Sequence, residues 1–210
     1  MSPVSGRTLG VLAIASVVYY VLAVAAVHLL QPELDPLTVP MSAYVLGEYG
    51  TLMTTTFFVL CVGLLAVGCG LLQALPRTRV IKVAFALTLI ASAGILIAGL
   101  FPTDWPPPFR STSSQVHQMA ALVAFPAMTI APGLFSLNFR RSEYWERISV
   151  AALALSAGIV AAEAFLLATS AVAFLGVGGV VQRLFLALLL IWMLLVGRHL
   201  TRAARGARAT

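Results

Sequence analysis

Charge is what this 210-residue sequence has least of. Only 10% of its residues are Asp, Glu, Lys or Arg, and just seven are acidic; soluble domains carry about 25% charged residues. So little polar material cannot cover a water-facing globule, which excludes an ordinary soluble domain. Cysteine is scarce too. Cys61 and Cys69 share one apolar run, where eight helical residues set them about 12 Å apart, beyond the ~7 Å a disulfide spans. A disulfide scaffold is therefore excluded. The catalytic signatures His-x-x-x-His, His-Glu-x-x-His and Gly-x-Ser-x-Gly are missing, and with them the usual marks of zinc hydrolases and α/β-hydrolases. No nucleic-acid motif occurs either, so the formal charge of +6 and pI near 10 need another explanation.

Apolar length is what the chain has in abundance. Hydrophobic residues make up 60% of it, and its mean hydropathy is +1.00. Six apolar runs predict helices over 9–30, 51–75, 80–101, 115–137, 148–174 and 180–203, each near the ~20 residues needed to cross a ~30 Å hydrocarbon layer. The first run is longer than a signal-peptide core of roughly 7–15 residues, so it reads as a retained helix. The expected architecture is all-α: a polytopic six-helix transmembrane bundle in which residues 1–210 form one domain.

The basic residues give that bundle an orientation. Arg7, Arg77, Arg79, Lys82, Arg140, Arg141, Arg147, Arg198, Arg202, Arg205 and Arg208 all flank connections on one side. Positive-inside bias accounts for the net charge and places both termini in the cytoplasm. Two outer connections, 31–50 and 102–114, are rich in proline and read as stiff lids; the third, 175–179, reads as a tight Gly-rich turn. Tyr44, Tyr49 and Trp105 fit the headgroup layer. Ser42 reads as the cap of a short surface helix. Ala154, Gly158 and Ala162 repeat every four residues on the fifth span, which marks it as a central, closely packed helix. Pro126 and Pro132 are expected to bend the fourth span. No internal repeat supports an inverted-repeat transporter.

Depth then sorts the few polar residues. His28 lies about 28 Å up the first span and Glu163 about 22 Å up the fifth. His117, Gln182 and Arg183 open inward-running spans, and Asp104 follows the third. All are expected at one outer level, lining a common pocket. Glu163 and Arg183 are expected to pair, because ionisable groups in the membrane face partners or wet cavities. Weak metal ligands are His28, Asp104 and His117, and a bis-His haem would use His28 and His117. His199, among arginines at the cytoplasmic end, reads as a surface residue. No cofactor is specified.

A family resemblance coincides with these positions. Pro40-Met41-Ser42-Ala43-Tyr44-Val45-Leu46-Gly47-Glu48-Tyr49-Gly50 resembles a signature of the domain of unknown function 998 family of bacterial and archaeal membrane proteins. Phe101-Pro102-Thr103-Asp104 followed by His117 is similar to its second signature, and Gly179, Gln182, Arg183 and Trp192 to its last-helix pattern. The resemblance implies a compact six-helix protein without an established activity, and gives weight to Ser42, Tyr44, Gly47, Asp104, His117 and Arg183. Gln182 stands where that pattern often has an acid.

Three functions follow as expectations. The first is an outward-facing pocket for a lipid headgroup or small amphipathic ligand, held by Ser42, Tyr44, Asp104, His117, Glu163, Gln182 and Arg183. The second is a non-catalytic accessory subunit of a larger membrane complex; the third, a metal-assisted intramembrane hydrolase. Without a catalytic motif, the balance is against an enzyme. Expected partners are membrane lipids and other membrane protein subunits, not nucleic acid, in a cell membrane of the bacterial or archaeal inner type.

Overall fold

The computed structural model describes residues 4–171 and 177–206. Among them are α1 (Gly6–Leu30), α2 (Gly50–Ala74), α3 (Arg79–Leu100), α4 (Thr112–Phe139), the single turn α5 (Glu143–Glu146), α6 (Ser149–Ala171) and α7 (Gly178–Gly206). A 3-10 turn, Met41–Leu46, sits in the first long connection. No strand occurs among the described residues. Six helices are long and apolar enough to span a membrane, with mean hydropathies from 1.8 to 2.4. The expected spans agree to within three residues wherever both ends are described. Residues 172–174 of the fifth predicted span, and 175–176 of the Gly-rich turn, lie outside the described residues. The short α5 carries too few residues to show a period.

The starts of three spans follow from local chemistry. A helix leaves its first N–H groups without intrahelical partners, and a preceding hydroxyl can accept from one. Ser5 accepts from the Thr8 N–H, Thr78 from that of Ile81, and Ser111 from that of Ser114. Helix α4 runs on through Pro126 and Pro132.

The six spans close into a ring in the order α1, α2, α3, α4, α6, α7 and back to α1, with α2 also touching α7 across it. An even number of crossings puts both chain ends at one face, called here the terminal end; the other is the far end. Small residues let backbones meet at the α1–α7 seam. A Cβ on Gly10 would lie 2.6 Å from the Gly197 carbonyl oxygen, so alanine there would force the helices apart.

Two expectations fail in the packing. The stripe of Ala154, Gly158 and Ala162 does not make α6 central: only 28% of its span is buried, against 56% of α2. Ala154 is exposed, and Gly158 faces Leu188 alone. The stripe winds around the helix instead of staying on its inner face, where Ala152, Ser156, Ile159 and Glu163 stand. His199 is likewise buried, not a surface residue. Its Nε2–H donates to the Tyr144 carbonyl at 2.8 Å, and the Tyr144 hydroxyl returns a bond to the His199 carbonyl at 2.9 Å. The Tyr144 ring lies 4.0 Å from the imidazole, and that of Trp145 4.8 Å. Aromatic cover from α5 takes His199 out of water.

Candidate functional site

The polar residues of the far end fall into two separate clusters plus one isolated carboxyl. The first cluster joins α1, α7 and the connection between α1 and α2. That connection is packed down at both ends of its path: Gln31, Val39, Met41, Ser42, Ala43 and Tyr44 are buried, while Pro32, Glu33 and residues 35–38 stay exposed. It folds over the start of α7, where a Cβ on Gly179 would lie 2.7–2.8 Å from the carbonyl oxygens of Pro36, Leu37 and Val39. Only glycine leaves room for so many backbone oxygens. Leu37 accepts from the Val180 N–H at 3.1 Å, satisfying an orphan donor of α7. Gln182 Oε1 accepts from the Met41 N–H at 2.7 Å. Gln182 is thus spent on pinning the connection.

Arg183 is the centre of this cluster. Its Nη1 donates to the carbonyls of Val39 and Gly179, both at 2.9 Å. Nε and Nη2 donate to His28 Nε2 at 3.0 and 2.9 Å. The other imidazole nitrogen lies 2.7 Å from the Val24 carbonyl. Since carbonyls only accept, Nδ1 carries hydrogen and Nε2 offers its lone pair. The arrangement therefore needs a neutral His28. Tyr44 completes the cluster: its ring stands 4.8 Å from His28 and 5.4 Å from the Arg183 guanidinium carbon, within cation–π range. Its hydroxyl donates to the Leu34 carbonyl at 2.7 Å. Burial pushes the Tyr44 hydroxyl up, and the Arg183 charge draws it partly back. Tyr44 is therefore no headgroup-level anchor. Ser42 is no cap either, because the 3-10 turn starts after Pro40 without a side-chain cap bond.

Across the ring, the second cluster closes α3 onto α4. The Asp104 carboxylate accepts from the Arg110 and Ser111 N–H groups, both at 2.8 Å, and from the Ser111 hydroxyl at 2.7 Å. Bonds from Ser111, then from Arg110, hold its carboxyl below the usual carboxylate range. The Asp104 N–H donates to Ser114 Oγ at 2.9 Å, and Gln118 Nε2 to Thr103 Oγ1 at 2.9 Å. His117 Nδ1–H is shared between the carbonyls of Ala98 and Phe101, at 2.9 Å each. It satisfies the last turn of α3, whose carbonyls have no helical donor ahead of them.

The expected common pocket thus divides. Tyr44, Gln182, Arg183 and His28 come together, with Ser42 in the adjoining turn; Asp104 and His117 form the opposite cluster; Glu163 stands on α6 apart from both. The expected Glu163–Arg183 pair does not form, because the Arg183 donors turn toward α1 and the connection. His28, Asp104 and His117 are not gathered into a metal-binding group, and no cluster of three His, Cys, Asp or Glu side chains placed to hold a metal ion occurs among the described residues. Equal depth says nothing about position around a ring. Sequence reasoning missed Gln31, whose Nε2 reaches the Tyr44 carbonyl at 3.4 Å. It also missed Ser111 and Ser114, although a serine run just before an apolar helix is a recognisable capping signal.

A model of one protein family, described as protein of unknown function (DUF998), matches residues 13–199. The chain belongs to the DUF998 family. No curated protein and no solved structure matches the chain. Membership carries no activity with it, so any function must be argued from the clusters themselves. The match takes in four spans whole, most of α1 and α7, and both far-end clusters of this DUF998 protein.

Proposed function

We propose that this membrane protein binds the headgroup of an anionic lipid, or a small amphipathic anion, at the far ends of α1 and α7. One observation carries the reading: every acceptor bonded to Arg183 is neutral. The nearby acid, Asp35, spends its oxygens on the Leu37 N–H and the Thr38 hydroxyl. A full positive charge therefore stands at the level of the lipid headgroups without a bonded counter-charge. Four of the five guanidinium N–H groups are used internally, which fixes the fork; one Nη2–H remains for an anion. The distribution of basic residues puts this end outside the cytoplasm. Asp104, whose oxygens are already occupied, and Glu163 play no part in this binding.

Native mass spectrometry after reconstitution in vesicles of phosphatidylglycerol mixed with phosphatidylcholine tests the reading. Retained lipid is expected to favour phosphatidylglycerol by about tenfold, as one charge-assisted bond allows. Arg183→Gln should erase the preference, and Arg183→Lys should keep part of it. Equal retention of both lipids by the wild type would refute the reading. A stoichiometric membrane subunit retained in their place would favour the accessory role.

A further inference from the structure

Glu163 is the one membrane-embedded acid, and neither cluster uses it. It is 7% exposed, and its Oε1 has no hydrogen-bond partner among the described residues. Thr129 of α4 is 5% exposed, and its Oγ1 also has none. These two orphans stand at one level. Ser136 of α4 and Ser156 of α6 face each other with 3.2 Å between hydroxyl oxygens, and Trp192 Nε1–H of α7 donates to Ser136 Oγ at 3.0 Å. The helices run antiparallel. Seven residues, about 10.5 Å and nearly two turns, lead from Ser136 to Thr129 and from Ser156 to Glu163. The same step along α7 leads from Trp192 to Phe185, which stacks on Phe125. Just beside Thr129, Pro132 has no N–H to give the Met128 carbonyl.

Among the described residues no cationic side chain answers this acid. In α4 the titratable side chain is His117, twelve residues farther out and bonded to α3. In α7, Arg183 is bonded toward α1, while Arg198, His199 and Arg202 lie at the terminal end with Glu143, Tyr144 and Glu146 of α5. An uncompensated carboxylate at this depth is expensive. We propose that Glu163, Thr129 and the Met128 carbonyl form an intramembrane site for a small monovalent cation, a proton or a sodium ion. One carboxylate charge balances one such cation, whereas a divalent ion would leave a net charge in an apolar setting. The donor set is all oxygen, which suits hard cations.

Dicyclohexylcarbodiimide, an apolar reagent that consumes protonated carboxyls, tests the site on the full chain in liposomes. Labelling of Glu163 near neutral pH, unchanged by sodium chloride, identifies the proton as occupant. Labelling suppressed by sodium chloride but not by choline chloride identifies sodium in competition with the proton. Thr129→Val should weaken that protection by about tenfold, the loss of one polar ligand. Glu163→Gln, close to isosteric, should fold and remove the label, along with a protonated-carboxyl infrared band. If Glu163 stays unlabelled, Glu163→Gln removes no such band, and radioactive sodium binding is the same in both proteins, the proposal is overturned.

Discussion

Arg183 and Asp104 are the charges at the centres of the two far-end clusters, and the ring holds each without the other. Arg183 is a cation surrounded by lone pairs: two backbone carbonyls and a neutral imidazole. Asp104 is an anion surrounded by donors: two backbone N–H groups and a serine hydroxyl. Each charge is solvated by local backbone, so each can be placed where its own segment requires it. The difference lies in exposure. Asp104 stands in a water-facing loop where its bonds refine a turn. Arg183 is half-buried, and its four bonds tie together three segments far apart in sequence.

That contrast sets the order of expected effects. Arg183→Gln leaves the His28 lone pair and the Val39 and Gly179 carbonyls short of donors, and should cost about 3 kcal/mol or more, since bonds to charged groups contribute about 1.5–3 kcal/mol each. Thermal unfolding in detergent measures it, and a cost below that of Asp104→Asn would reverse the contrast. Gly179→Ala should come next, at about 1–3 kcal/mol for forcing a methyl against three carbonyls. Its signature is faster amide exchange in the 36–43 segment, with α3 and α4 unchanged. His117→Leu should cost about 1–2 kcal/mol by removing the donor shared by Ala98 and Phe101. Exchange should then quicken at the α3–α4 end and not around Arg183; quickening at both would mean that the clusters are coupled.

The smallest effect belongs to Asp104→Asn and depends on pH. Because Ser111 and Arg110 hold the carboxyl below its unfolded value, the ionised form stabilises the fold. That contribution is complete above the ordinary Asp range near 3.9 and is lost as pH falls through the lower folded value. Wild type and Asp104→Asn should therefore differ by a constant amount from neutral pH down to that range, and converge only below it. Unfolding midpoints measured across acid pH check the sign; convergence above that range would contradict it.

Much of this was legible beforehand for a simple reason. Crossing a bilayer demands apolar length, and composition records length directly, so all six spans were readable in the runs themselves. The caps at Ser5, Thr78 and Ser111 went unread, although a cap acts within three residues of itself and leaves a local signal. The site was only half legible. Counting residues along each span placed His28, Glu163, His117 and Arg183 near one end, but gave no angle around the ring. Glu163 was thus matched with Arg183 across the α6–α7 turn, when Arg183 points to α1. His199 was assigned to water because its neighbours in sequence are arginines, when its neighbours in space are Tyr144 and Trp145.

The sequence by itself determined that the protein is a six-span membrane protein, and that its far end holds the few polar groups outside the basic terminal face. Hydrophobic length and charge distribution are properties of segments, and need no partner to be read. Only the tertiary structure decided which polar groups meet. Closing α7 against α1 gave Arg183 to His28 and to the Val39 carbonyl of the connection between α1 and α2. Packing α3 against α4 gave Asp104 to serines and His117 to the end of α3. Glu163 was left buried on α6 with its Oε1 unbonded among the described residues, because hydrogen bonds act over about 3 Å and only the final packing brings atoms so close.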